Sequence, residues 1–306
     1  MLDYPPMIQE WKYVHHISRN VTDSNVYYQL GRTMLSGQNE FVVLHDYRKV
    51  TIEDCLHLAI QYDLKNSAAY GLLGAITTDK TTLIDGTQLN SLDCYLLAIK
   101  YNTQDSSIYY NIAQKLEAVD AKVTLLDGTQ LTKKECLIRA LNLHPFDEAY
   151  FDLGCTLSEN EIVYLNDGTQ LNKKKCFLTT IKLNSKNAEA YYKLGLALLN
   201  NESITLPDDT QVTKRDCFLL AINYDQFYSE AYESLGTSLA NNESITLLNG
   251  RSVTKRDCYL QSLECMMTYS PALENLAKLL SESEKVMIRE ETFSKTDLLV
   301  MAMKYK

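Results

Sequence analysis

The sequence predicts an all-helical solenoid: antiparallel helix pairs in a superhelical stack, with a short β-hairpin between the helices of each repeat. A cysteine recurs roughly every 41 residues, an aromatic residue precedes a Leu-Gly pair in most blocks, and an Asp-Gly or Asn-Gly pair separates the two helical stretches. Self-similarity at this period is typical of stacked repeats, in which each unit buries its apolar face against its neighbours.

The repeats occupy nearly the whole chain, so we expect one elongated domain over residues 1–306. Residues 7–24 are expected to form an N-terminal helix, and residues 25–306 to form about seven repeats. The marker positions are Cys55, Cys94, Cys136, Cys176, Cys217 and Cys258, with Leu298 in the same place of the last repeat.

Each repeat is expected to begin with a short helix. In the fifth repeat, Tyr191, Leu194 and Leu198 recur at helical spacing between positions 188 and 200. The pair Asn200-Asn201 follows, and Asn often ends a helix because it tolerates left-handed backbone geometry. We therefore expect this helix to end at about Asn200.

A hairpin is expected next in each repeat. Two short runs with β-branched residues flank a turn, and such a turn predicts a tight hairpin with positive φ. The turns are Asp85-Gly86, Asp127-Gly128, Asp167-Gly168 and Asn249-Gly250.

A second helix follows each hairpin, and its start carries a capping box. A hydroxyl or amide side chain stands three residues before a carboxylate, so that each can bond to the other's backbone N–H. The pairs are Thr51/Asp54, Asn90/Asp93, Thr132/Glu135, Thr213/Asp216, Thr254/Asp257 and Ser294/Asp297. The fourth repeat has Asn172 and Lys175 instead, so we expect a weaker helix start there.

Length variation falls in the hairpin segment. From the small residue of each second helix to that of the next first helix the spacing is 14 or 15 residues, whereas from there to the next marker it ranges from 20 to 24. A packed joint resists insertion and a surface loop does not, so the spacing predicts tightly packed helix joints and adaptable hairpins.

At this point the residues resemble the tetratricopeptide repeat (TPR) family. The first helix is similar to its aromatic…Leu-Gly pattern at Tyr70…Leu73-Gly74, Tyr150…Leu153-Gly154, Tyr191…Leu194-Gly195 and Tyr232…Leu235-Gly236. The second helix is similar at Ala59…Tyr62, Ala98…Tyr101, Ala140…Leu143 and Ala221…Tyr224. The resemblance covers residues 10–306, and the hairpin lengthens the family's 34-residue unit. The family's closing proline is kept only as Pro145.

The cysteine column is interpreted as packing. Each cysteine lies in the first turn of a helix, which can lower a thiol pKa, but Leu298 replaces it once, and a leucine cannot replace a nucleophile or ligand. The histidines form no metal-ligand pattern, and no phosphate-binding or nucleophile motif occurs. We expect no metal, no cofactor and no enzymatic activity.

The net charge of −9 and a pI of about 5.1 argue against a nucleic-acid partner, which favours clustered Lys and Arg. The acidic, proline-broken start at residues 1–6 does not resemble a signal peptide, and no apolar stretch is long enough to span a membrane. A cytoplasmic protein is expected.

The resemblance implies that the first helices line a concave groove, into which the residue after the patterned aromatic points. The candidate partner-binding residues are Tyr28, Arg32, Tyr110, Gln114, Phe151, Tyr192, Glu233 and Glu274. A groove with aromatic residues and an acidic end favours a basic or apolar segment. An alternative stays open, in which the tyrosines only pack between adjacent first helices.

The sequence thus predicts a non-enzymatic scaffold that binds a partner protein or peptide along the groove. The alternatives are a permanent structural subunit that uses its ends and hairpin edge, or a regulatory domain of an enzyme complex. End-to-end self-association through residues 294–306 is a further expectation, because Leu298, Leu299, Met301 and Met303 lie in this last helix. The row of hairpins could either pair with a partner strand or extend the packing of each repeat.

Overall fold

The computed structural model describes residues 6–118 and 120–306, with side chains from Glu10 onward. The prediction that the chain does not start with a signal peptide concerns residues 1–6, and residues 1–5 lie outside the described residues. The chain forms two compact units: unit 1 is Met1–Pro145 and unit 2 is Phe146–Lys306. The expectation of a single domain stays a prediction.

Unit 1 holds an N-terminal helix and three repeats of helix, hairpin and helix. Its elements are α1 Pro6–Arg19; α2 Ser24–Gly37, β1 Phe41–Val43, β2 Lys49–Thr51, α3 Ile52–Tyr62; α4 Ser67–Ile76, β3 Lys80–Thr82, β4 Gln88–Asn90, α5 Ser91–Tyr101; α6 Ser106–Lys115, β5 Lys122–Thr124, β6 Gln130–Thr132 and α7 Lys133–Leu143.

Unit 2 holds four further repeats in the described chain. They are α8 Asp147–Thr156, β7 Val163–Tyr164, β8 Gln170–Leu171, α9 Lys173–Leu183; α10 Ala188–Ala197, β9 Ser203–Thr205, β10 Gln211–Thr213, α11 Lys214–Tyr224; α12 Ser229–Ser238, β11 Ser244–Thr246, β12 Ser252–Thr254, α13 Lys255–Cys265; α14 Ser270–Leu279, β13 Lys285–Ile288, β14 Glu291–Ser294 and α15 Lys295–Lys304. The predicted fold class is confirmed. Below, the even-numbered helices are called first helices and the odd-numbered helices from α3 onward second helices.

The hairpin turns have one geometry in most repeats. In the second repeat, the Leu83 amide donates to the Thr87 carbonyl and the Gly86 amide to the Leu83 carbonyl, both at 2.9 Å, and Gly86 has φ +86°. This is a three-residue turn with one left-handed position, which glycine occupies without strain. The predicted positive φ is confirmed at all four glycines, while Tyr47 and Asp209 adopt φ of 66° and 67° at the same turn position.

The capping predictions are confirmed. All six predicted boxes form, with both reciprocal bonds present. Asn172 accepts from the Lys175 amide at 2.9 Å without a returning carboxylate. The predicted end of α10 is wrong: the helix ends at Ala197 and Leu198 is extended, because the Leu198 side chain turns into the core and is only 1% exposed.

In the five repeats that have a glycine at this position of the first helix, it packs against the second helix of the same repeat. A Cβ added at Gly195 would lie 2.8 Å from Phe218 Cε1 and 3.1 Å from Cys217 Cβ. Gly154 and Gly236 meet their own second helices in the same way. Small residues on both helices therefore let the two backbones approach, which accounts for both the Leu-Gly pattern and the cysteine column.

The repeats of unit 2 are also tied to one another by a recurring ion pair. The cation in the first turn of a second helix bonds to a glutamate that follows the next first helix, as in Lys174–Glu202 at 2.5 Å. The other two pairs are Arg215–Glu243 and Arg256–Glu284. Each glutamate also accepts a backbone N–H from the turn that precedes it, so it fixes that turn as well.

Candidate functional site

An open groove of about 730 Å³ lies in unit 2, between the first helices α10 and α12. Leu196 of α10 and Thr237 of α12 face it from either side, and the start of α11 closes it from behind with Arg215 and Phe218. Its size is within the range of clefts that bind ligands or peptide side chains.

The apolar part of the groove is formed by two side chains with different exposure. Phe218 is 1% exposed and packs beneath Gly195, whereas Leu196 is 46% exposed although it is a large aliphatic residue on a regular helix. Because Leu194 and Gly195 take the core positions of α10, the next residue must point away from the second helix. The groove therefore has a buried aromatic floor and an exposed aliphatic wall.

Hydrogen-bonding groups form the rest of the lining. Glu233 Oε1 accepts from Thr237 Oγ1 and from Asn275 Nδ2, each at 2.7 Å. Arg215 is held by Glu243, and Lys214 Nζ donates to the Leu198 carbonyl at 3.2 Å. Both cations are thus engaged within the chain, and Glu233 is a fixed carboxylate beside the apolar surface.

The predicted groove residues of unit 1 lie on the first helices α2 and α6. Tyr28 and Tyr110 are half-buried, while Arg32 and Gln114, one turn further along each helix, are exposed. The Arg32 and Gln114 side chains are thus accessible from solvent, and the two tyrosines have part of each ring within the packed structure.

The predicted aromatic residues of unit 2 take part in packing. Phe151 is half-buried with its ring centroid 5.8 Å from that of Phe177. Tyr192 is 8% exposed and lies 5.9 Å from Phe218 and 5.0 Å from Tyr228, so burial raises its pKa. The packing alternative accounts for Tyr192, and Leu196 is the more accessible side chain of this helix.

The predicted acidic end has internal partners. Glu274 forms an ion pair with Lys306 at 2.8 Å, and the Lys306 ammonium holds the pKa of Glu274 below its usual value. Glu233 and Glu274 occupy corresponding positions on α12 and α14, but only Glu233 lines the groove. Of the two glutamates predicted to form the acidic end, only Glu233 therefore adds negative charge to this groove.

The sequence reasoning did not identify Leu196, Arg215 and Phe218 as a joint surface. Arg215 and Phe218 belong to a second helix, which the resemblance does not place in the groove. The available signal was the residue after each marker cysteine, which is aromatic at Tyr95, Phe177, Phe218 and Tyr259.

The six column cysteines are fully buried, so the packing interpretation is confirmed. Desolvation raises the pKa of each of these thiols to about 12, and this outweighs the effect of the nearby helix start. Cys155 is exposed and Cys265 half-buried, both outside the column. The column thiols are therefore inert side chains of the joint.

The described residues hold neither a cluster suited to a metal ion nor a helix suited to cross a membrane. Within residues 6–118 and 120–306, no group of three or more His, Cys, Asp or Glu side chains is arranged to hold a metal ion. None of the helices in this part of the chain combines the length and the apolar character needed to cross a bilayer.

No family model and no curated protein matches the sequence. Among solved structures, the chain is similar to the C-terminal part of a TPR repeat-containing protein from Cytophaga hutchinsonii, at 11% identity and a TM-score of 0.46, over 87% of this chain and 92% of that one. It is similar to yeast Tom70 at 14% identity and a TM-score of 0.41, over 88% and 50% of the two chains. It is also similar to YrrB, a TPR protein with an unusual peptide-binding site, at 15% identity and a TM-score of 0.34, over 88% and 98%.

These likenesses concern the fold, and the repeat type is read from the chain itself. Each repeat pairs two antiparallel helices, with the small residue of the aromatic…Leu-Gly pattern packed on the marker residue of the second helix, as Gly236 packs on Cys258. The chain is thus built from repeats of two antiparallel helices that resemble tetratricopeptide repeats, each lengthened by a β-hairpin between its two helices.

Proposed function

We propose that this protein is a non-enzymatic interaction scaffold, which holds a segment of a partner protein against the faces of its first helices. The observation that supports this most directly is the groove between α10 and α12, where an exposed leucine stands beside a buried aromatic floor and a fixed carboxylate. An exposed aliphatic side chain next to hydrogen-bonding groups is the usual composition of a peptide-binding surface.

The proposed partner segment is apolar or basic. An apolar side chain would bury the exposed part of Leu196 against the Phe218 floor. A basic side chain would meet Glu233, since the two cations of the lining, Lys214 and Arg215, already bond within the chain. The chain's net charge of −9 would favour approach of a basic segment over an acidic one.

Unit 1 is proposed to contribute in the same manner through its own first helices. There Arg32 and Gln114 present exposed polar groups, and Tyr28 and Tyr110 lie one turn before them. Tyrosine gives a large contact area with little loss of side-chain entropy, so a modest exposed fraction is enough for a contact. In unit 2, the corresponding proposed contacts are Phe151, Glu233 and Glu274, and Leu196 takes the place of the packed Tyr192 on α10.

The test is affinity capture of the tagged full chain from its native cells, with two variants compared. Leu196→Arg places a charge in the groove, and the matched control Leu248→Arg places the same charge on a hairpin tip that is 57% exposed. We expect a protein that the wild type and Leu248→Arg recover equally and that Leu196→Arg loses. Equal recovery by all three would contradict the groove proposal.

A second candidate function, a permanent structural subunit, is supported by one observation. Leu299, Val300 and Met303 of α15 are 39%, 61% and 77% exposed, which forms an apolar face on a single helix. Sedimentation of the full chain over a wide concentration range tests self-association through this helix. A constant sedimentation coefficient would leave the groove-binding scaffold as the proposal.

We propose the cytoplasm as the location. All eight cysteines are free thiols, and six of them are buried where a disulfide would disrupt a helix joint. Reduced thiols are maintained in the cytosol.

A further inference from the structure

A second cleft of about 480 Å³ lies between the hairpins of the fourth and fifth repeats in unit 2. It is bounded by β8 and by the end of β9, with α9 beneath, and it shares no lining residue with the groove. Among the described strands, β8 pairs with β7 and β9 pairs with β10, so the two hairpins form separate sheets. The space between them is therefore open to a segment of another chain.

The floor of this cleft is apolar. Leu171 and Leu206 are buried, Leu178 of α9 is half-buried, and Pro207 is exposed at the rim. An apolar side chain that entered from a partner would contact all four and lose its own hydration. At about 25 cal/mol per Å² of apolar surface, such a contact is a useful part of a binding energy.

The rim of the cleft is cationic. Lys175 and Lys182 lie seven residues apart on α9, which places them on one face of the helix, and both are exposed. Neither forms an ion pair with any described residue, whereas their neighbours Lys173 and Lys174 pair with Glu159 and Glu202. The closest polar contact of Lys175 Nζ is the Gln170 carbonyl at 3.4 Å.

This charge is specific to one cleft and not a property of the repeat. Lys175 stands where the other six second helices have the carboxylate of the capping box, and the next repeat has Asp216 and Asn223 in place of Lys175 and Lys182. A lysine at the third position of a helix gives up the box and is opposed by the helix dipole. Within the described chain Lys175 gains only the long hydrogen bond to the Gln170 carbonyl in return, and no ion pair.

Two carboxylates that are close to the lining residues in sequence, Asp167 and Asp208, do not themselves line the cleft. The hairpin tips carry Asp167 and Asp208, and each carboxylate accepts the amide of its own turn, from Thr169 at 2.8 Å and Thr210 at 3.0 Å. These bonds lower the pKa of both carboxyl groups and hold them at the tips.

We propose that this cleft binds an extended acidic segment of a partner protein, with an apolar side chain between Leu178 and Leu206 and carboxylates on Lys175 and Lys182. The local charge decides the class of occupant, since two cations without ion pairs flank an apolar floor, although the chain as a whole carries a net charge of −9. The surface is distinct from the groove, for which a basic or apolar segment is proposed.

The test measures fluorescence anisotropy of a labelled peptide that alternates glutamate and leucine, titrated with the full chain at low salt. We expect saturable binding that weakens as salt rises and falls about tenfold in Lys175→Glu/Lys182→Glu, because two attractive pairs become repulsive. The control Lys278→Glu/Lys285→Glu changes the net charge equally at two other exposed lysines and should keep the affinity. Circular dichroism melting checks that both variants are folded.

Three results would overturn the proposal: no saturable binding of the glutamate peptide, equal loss in the two double variants, or equal binding of a peptide that alternates lysine and leucine. The proposal would also be overturned if the chain self-associates and Lys175→Glu/Lys182→Glu abolishes that self-association, because a second copy of the chain would then occupy the cleft. Leu196→Arg should leave the peptide affinity unchanged, so that failure of this cleft and failure of the groove are separate outcomes.

Discussion

The helix joint and the hairpin turn of these repeats differ in the room that they leave for a side chain. A Cβ at Gly195 would lie 2.8 Å from a Phe218 ring carbon, whereas a Cβ at Gly86 in a hairpin turn would meet no atom within 4 Å. Gly195 is constrained by packing, and Gly86 is constrained only by its positive φ. The close packing of the two helices at this joint therefore fixes the geometry of the repeat.

The hairpin lies between the two helices that pack at the joint, so its length can vary while those helices stay in contact. The join between repeats is 14 or 15 residues long, while the segment with the hairpin ranges over 20 to 24 residues. Insertions at a close-packed joint would separate the helices, but a longer hairpin only projects further into solvent. The surface around a hairpin can thus acquire local features, such as Lys175 at the start of α9 in the fourth repeat.

The largest expected effect is on thiol reactivity. The joint cysteines are fully buried and desolvation raises their pKa to about 12, whereas Cys155 is exposed and its pKa is raised to about 11, which leaves on the order of tenfold more thiolate at neutral pH. Access of the reagent adds to this difference. A maleimide should label Cys155 and Cys265 in the native chain long before the six column cysteines. Mass spectrometry of the labelled peptides measures the order of labelling. Early labelling of Cys55 or Cys217 would contradict the claim that the joint cysteines are inaccessible.

The next largest effect is on the free energy of unfolding when the joint is overpacked. Gly195→Val should lower it by about 3 kcal/mol, because the added carbons meet the Phe218 ring and Cys217. The matched hairpin variant Gly86→Ala should cost only about 1 kcal/mol, from a positive φ that alanine disfavours. Urea denaturation followed by circular dichroism compares them, and equal costs would contradict the proposed difference.

A smaller effect is expected where joint and hairpin meet, at the start of α11. Thr213 Oγ1 donates to Asp216 Oδ2 at 2.7 Å and accepts from the Asp216 amide, so Thr213→Ala should cost about 1 kcal/mol. Thr213→Ser keeps the hydroxyl and should retain most of the stability. If the alanine and serine variants melt alike, the cap does not contribute as described.

The smallest effect is a gain of stability within a hairpin. Tyr47 is 89% exposed and adopts φ 66°, a conformation that glycine takes without strain. Tyr47→Gly should raise the free energy of unfolding by about 0.5 kcal/mol, because relief of backbone strain exceeds the added entropy of the unfolded chain. Tyr47→Ala should give no such gain, and a gain from alanine would point to the side chain instead of the backbone.

The features predicted from the sequence are those fixed by local chemistry. Asp85-Gly86 specifies its own turn, and Thr213 with Asp216 specifies its own helix start, since each acts over a few residues. The repeat period and the buried cysteine column follow from the same short-range patterns repeated along the chain. These predictions needed no knowledge of how one repeat lies on the next.

The surfaces were less accessible to sequence reasoning. Tyr192 was expected at a groove surface, but its ring is covered by Tyr228 from the next repeat, and the Arg215–Glu243 pair joins residues 28 positions apart. Such contacts depend on the angle between neighbouring helix pairs, which a single repeat does not contain. The groove floor at Phe218 was missed because the resemblance places only the first helices in the groove.

The most direct measurement for the scaffold proposal is site-specific photo-crosslinking of the full chain in its native cells. A photoreactive residue is placed at position 196 in the groove or at position 248 on a hairpin tip, and the adducts are identified by mass spectrometry. We expect position 196 to capture a partner protein that position 248 does not. Capture of that partner at position 248 without an adduct at position 196 would contradict the proposal that the first helices form the binding surface.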